Sequence, residues 1–170
     1  MTLPFAALGA IAAALIETTM IPEVAIFGVA ADLLLTLVVV AAVVMGIEDG
    51  LVWAFLGGLL VDMLTPARPI GATTFALLIM VGLAVAATRF VGQSRLAAVI
   101  VVFGLTWAFH LLLLATLALT EGLAAGALDL KLVFATALLN MLVAVPFAAL
   151  FVLLERRFGK EDRERERAAW

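Results

Sequence analysis

The sequence predicts an all-α integral membrane protein, a six-helix transmembrane bundle with a short charged tail, and three observations carry that reading. Hydrophobic residues make up 66% of the 170 and charged residues only 14%, with a mean hydropathy of +1.28. That is more apolar surface than one soluble domain can bury. The apolar residues fall into runs close to the roughly 20 that a helix needs to cross a hydrocarbon core of about 30 Å. The runs are separated by short clusters of proline, glycine and charge, the usual breakers.

Taken in order, the expected spans are residues 3–21, 24–45, 51–65, 70–88, 96–120 and 132–154. The chain opens Met1-Thr2-Leu3-Pro4 without the basic stretch of a secretory signal, so the first run is expected to stay as a membrane helix. Glu17, Pro22 and Glu23 divide it from the second; because the break is this slight, one span plus an interfacial segment is a second reading, giving five crossings. Gly46 to Gly50, with Glu48 and Asp49, precede the third span, and Pro66 to Pro69 form the turn before the fourth. Arg89 to Arg95 and the glycine-bearing stretch from Glu121 to Lys131 bound the fifth. Residues 1–155 thus form the transmembrane domain and 156–170 a charged cytoplasmic tail.

Orientation follows the basic residues, which concentrate in cytoplasmic loops. With six spans and the amino terminus inside, Arg89, Arg95 and the tail's Arg156, Arg157, Lys160, Arg163, Arg165 and Arg167 lie inside, against only Arg68 and Lys131 outside. The expected arrangement is therefore that of a multi-pass membrane protein with both termini on the cytoplasmic side. From Glu155 onward five acids alternate with six bases. Such a mixture cancels, and reads as a solvated helix or frayed end rather than a lipid-binding patch.

Depth singles out the polar residues, since a helix rises about 1.5 Å per residue. Asp32 falls eight residues into the second expected span and Asp62 near the outer end of the third, with Thr73 and Thr74 opening the fourth on the same side. His110 lies about two thirds of the way outward along the fifth, Asn140 in the outer half or middle of the sixth, and Glu17 joins from the first. A carboxylate in hydrocarbon must be paired, solvated or protonated. These seven residues are therefore expected to converge in an outer polar cavity or knot. Plainer roles stand beside that one: Asp62 as a cap for the turn that follows it, His110 as a packed neutral imidazole sharing a face with Trp107, Asn140 and the threonines as helix-to-helix bonds. Trp53 reads as an anchor at the inner interface and Trp107 as packed in the bundle.

Small residues form two rows. Gly50, Ala54 and Gly58 line one face of the third span and lead up to Asp62; Ala6, Ala10 and Ala14 line the first, with Gly9 and Ala13 beside them. Such faces let helices approach closely, either within the chain or against a partner. One histidine and no cysteine do not make the usual zinc site, and the only serine, Ser94, stands in the inner loop away from His110. No phosphate-binding glycine loop or potassium-filter sequence is present. Neither an enzyme activity nor a cofactor, a metal or a nucleic acid is expected; an assembly or binding role is.

The stretch Asp32-Leu33-Leu34-Leu35, then Gly46 and Gly50, then Gly57-Gly58-Leu59-Leu60-Val61-Asp62-Met63-Leu64 and Pro69-Ile70-Gly71, resembles the signature of the rod shape-determining MreD family. The resemblance implies a noncatalytic scaffold of the bacterial cell-elongation machinery. It would bind the single-pass protein MreC and regulate peptidoglycan synthesis by a RodA-type glycosyltransferase and its class B penicillin-binding protein, alongside MreB. That family is also similar in fold to the S components of energy-coupling-factor vitamin transporters, six-helix proteins whose pocket opens outward. A vitamin- or lipid-binding subunit of that kind is the second reading, and a proton-coupled transporter using Asp62 the third.

Overall fold

The computed structural model describes residues 3–19, 29–65, 70–92, 94–121 and 129–168. Within them the chain forms α1 (Leu3–Thr19), α2 (Leu33–Val44), α3 (Ile47–Leu64), α4 (Ala72–Val91), α5 (Arg95–Glu121) and α6 (Leu130–Ala168). Three of these contain stretches long and apolar enough to cross a membrane: Ala72–Val91, Arg95–Thr116 and Leu130–Glu155. The others are shorter or more polar. α2, with 12 residues, is only about 18 Å long at 1.5 Å per residue, and α3 carries Glu48 and Asp49 in its first turn.

α2 forms the centre. Every residue from Leu34 to Val43 is buried, because the other five helices all pack on it: α1 on α3, α3 on α4, α4 on α5 and α5 on α6 make a wall around it. A helix apolar on all sides belongs in such a place. The outer faces are apolar too, with Leu8, Phe55, Phe90, Leu119 and Leu142 exposed, whereas Thr36, Asp62, Thr106 and Asn140 are buried. This inverted distribution suits a hydrocarbon solvent, in which polar groups must find partners inside the protein.

Ten of the twelve helix boundaries lie within four residues of expectation, and two differ by more. The helix expected from residue 24 starts at Leu33, so Asp32 stands at the N-cap of α2 rather than eight residues into a span. Its own N–H is taken by the Asn140 side chain, 2.7 Å away, and its backbone (φ −84°, ψ 83°) is non-helical. At the other end α6 continues to Ala168, well past the expected end of the span at residue 154, with Pro146 inside it. The turns expected at Pro22 and at Pro66 to Pro69, and residues 122–128, lie outside the described residues.

Trp53 is not an interfacial anchor. It is buried, with its ring 5.6 Å from that of Phe151. It reaches that position because Gly9 has no side chain, and a Cβ there would come within 2.6 Å of the indole. Trp107 is half-buried, its ring 6.5 Å from Phe134.

Candidate functional site

Each helix start must find partners for amides that have none inside the helix. α5 and α6 do so locally: the Ser94 hydroxyl accepts from Ala97 N–H at 3.1 Å, and Asp129 accepts from Lys131 N–H at 2.9 Å. Both are ordinary side-chain caps. α2 and α4 start inside the protein, and each borrows a carboxylate from the preceding helix in the chain.

At α4 the donor of that carboxylate is Asp62, buried near the end of α3. Its Oδ2 accepts from Gly71 N–H at 3.0 Å, Thr74 N–H at 3.0 Å and the Thr74 hydroxyl at 2.8 Å. Its Oδ1 accepts from Thr73 N–H at 3.0 Å. Gly71, at φ 96°, bends the chain so that these groups converge. A negative charge at a helix N-terminus also meets the positive end of the helix dipole.

At α2 the carboxylate is Glu17 of α1, whose Oε2 accepts from Leu34 N–H at 3.0 Å. Asn140 of α6 works from the opposite side: its Oδ1 accepts from Asp32 N–H, and its Nδ2 donates to the Thr106 hydroxyl at 3.1 Å. Thr106 Oγ1 in turn donates to Val102 O at 2.8 Å. His110, one turn further along α5, has Nδ1 2.9 Å from Thr106 O. A carbonyl oxygen only accepts, so Nδ1 carries a proton. The other ring nitrogen faces Asp32 Oδ2 at 3.7 Å, with about a quarter of each side chain exposed.

The seven polar residues named from the sequence thus divide into two junctions. Asp62, Thr73 and Thr74 clamp α3 to α4, while Glu17, Asp32, His110 and Asn140 gather α1, α5 and α6 around the start of α2. Sequence reasoning passed over Thr106, which joins Asn140 to α5; it lies four residues before His110 and so on the same helix face. The small-residue rows are occupied inside the chain. Ala6, Ala10, Ala14 and Ala54 are fully buried; a Cβ on Gly50 would stand 2.7 Å from Ala42 Cβ, and one on Gly58 2.7 Å from Thr74 Cα. These faces serve packing between the protein's own helices and are not open to a partner.

Among the described residues no group of three or more His, Cys, Asp or Glu is arranged to hold a metal ion. What the two junctions do is mechanical: they satisfy buried helix ends and fix the positions of neighbouring helices. Comparison with protein-family models, with curated proteins and with solved structures finds no match.

Proposed function

We propose that this chain is a noncatalytic scaffold in the bacterial cytoplasmic membrane, of the MreD kind. It crosses the membrane six times with both ends inside, and it binds the single-pass protein MreC. Through that contact it regulates peptidoglycan synthesis by a RodA-type glycosyltransferase and a class B penicillin-binding protein, alongside MreB. One observation carries the reading: both oxygens of Asp62, the acid that ends the Gly57 to Leu64 motif, are engaged in holding α4. The part of the sequence on which the resemblance rests is therefore devoted to architecture. Partner contact then falls to the outer helix faces, since the alanine and glycine rows are taken up within the fold.

The test is capture of the tagged full-length chain from native membranes in mild detergent, followed by mass spectrometry. A bitopic partner with an extracytoplasmic coiled coil is the expected companion. Recovery with an ATPase module and a bound small molecule would replace this reading with that of a vitamin- or lipid-binding transport subunit.

A further inference from the structure

The junction at the start of α2 holds more ionisable groups than capping a helix requires. Glu17 reaches it from α1, Asp32 from the N-cap of α2 and His110 from α5, while α6 contributes the neutral Asn140. The Glu17 carboxyl lies within hydrogen-bonding reach of the Asp32 carboxyl, and Asp32 Oδ2 stands 3.7 Å from His110 Nε2. Among the described residues neither acid is paired with a lysine or arginine. At the other junction, by contrast, the Asp62 carboxylate is met by four donors.

The group is short of donors. Two carboxylates only accept, so they attract each other only when one of them carries a proton. Glu17 is placed to carry it: Leu34 N–H occupies Oε2 at 3.0 Å, a carboxylic acid needs one oxygen for that bond, and its O–H remains free to donate. The imidazole meets Asp32 in the same way. Nδ1 gives its hydrogen to Thr106 O at 2.9 Å, so in a neutral ring Nε2 turns a lone pair toward the Asp32 carboxylate. A proton on either partner converts that opposition into attraction. Away from bulk water the difference is large, because like charges this close are poorly screened.

We propose that Glu17, Asp32 and His110 form a proton-binding site whose occupancy fastens α1 and α5 to the start of α2. Empty, the three side chains carry two negative charges; a proton shared by the acids leaves one, and a second on the imidazole leaves none. Each proton lost loosens the hold on α1. Opening the junction exposes the acids to water, where carboxylic acids ionise at neutral pH. The closed form therefore holds more protons than the open one, and by linkage it is favoured as pH falls and weakened as pH rises. The site is separate from the Asp62 junction and does not depend on which protein partner the chain engages.

Glu17→Gln distinguishes a proton site from a plain cap. Its amide oxygen accepts from Leu34 N–H while its NH₂ donates to Asp32 at every pH. Thermal unfolding of the full-length, untagged chain in dodecyl maltoside is followed from about pH 5 to about pH 8, the range in which histidine also titrates. The native Tm is expected to fall as pH rises. Glu17→Gln should at least halve that fall and melt above the native chain at the upper pH, whereas Glu17→Ala should melt below it throughout. A Glu17→Gln chain with the native pH slope, or with the same loss as Glu17→Ala, would overturn the proposal. Infrared spectroscopy of the native chain in the same ester-free detergent needs no variant. At neutral pH it should show the carbonyl stretch of a protonated carboxyl group, which disappears as the pH is raised; absence of that band would equally overturn the proposal.

Discussion

Asp62 illustrates what a single carboxylate does at a buried helix start. Its two oxygens receive four hydrogen bonds from a stretch of only four residues. Asp62→Asn retains one oxygen, which can keep the three bonds made by Oδ2, but turns an NH₂ group toward Thr73 N–H. One buried donor left unpaired costs about 1–3 kcal/mol. Asp62→Ala strands all four donors and removes the charge from the helix N-terminus, worth about 0.3–1 kcal/mol more. Thermal unfolding in detergent is therefore expected to rank native above Asn above Ala, with the Ala loss at least twice the Asn loss. Equal losses would mean that the negative charge, which both variants remove, and not the hydrogen bonds is what α4 requires.

At the level of elements, α2, α4, α5 and α6 show two kinds of helix start. α5 and α6 carry caps in their own sequence, Ser94 and Asp129, at the ends of long helices. α2 and α4 carry none, and are completed by Glu17 and Asp62 from the helix before each. This explains which boundaries the sequence revealed. Where breakers and caps are local, as at Gly46, Gly71 and Ser94, the expected spans fall close to the helices. The start of α2 is hard to read because its one local signal, Asp32 directly before Leu33, also reads as an acid inside a continuous apolar run, and the Asn140 group that takes the Asp32 amide is 108 residues away. Depth counting did identify all four of Glu17, Asp32, His110 and Asn140, but placed Asp62 with them, since depth says nothing of position around the bundle. Trp53 misled for a similar reason: its distance along α3 suits an interface, and only the proximity of Gly9 turns the ring inward. Packing between elements gives its own test. Gly58→Ala would put a methyl group 2.7 Å from the α4 backbone at Thr74, whereas a methyl at Gly104 meets nothing within 4 Å. Backbone cannot withdraw as a side-chain tip can, so Gly58→Ala is expected to cost about 1–3 kcal/mol. Gly104→Ala is expected to be neutral, or stabilising by up to about 1 kcal/mol through helix propensity. Paired melting curves decide it, and the same loss at both positions would place the tight approach of α3 and α4 in doubt.

For the whole molecule, the question is how a bundle with a 12-residue helix at its centre sits in a bilayer. α4, α5 and the first two thirds of α6 span by length and composition, and they fix the frame: α4 and α5 are joined near Arg89 and Arg95, and α6 leads into the tail at Glu155. Those ends carry most of the positive charge, and cytoplasmic loops are where such charge concentrates. Because α3 leads into α4 through the Asp62 junction, the turn between α2 and α3, where Gly46 adopts φ 110°, lies at the same end of the bundle as Arg89. Both carboxylate-capped helix starts lie toward the other end. Single cysteines in the otherwise cysteine-free chain test this arrangement in intact cells or sealed vesicles. A cysteine at position 48 or 93 is expected to resist an impermeant thiol reagent applied from outside and to label once the membrane is opened, whereas positions 68 and 131 should label from outside directly. Labelling of 48 and 68 from the same side would show that α3 does not cross. In that case the Asp62 junction would sit at a surface, and α2 would be the core of a bundle only partly sunk in the membrane.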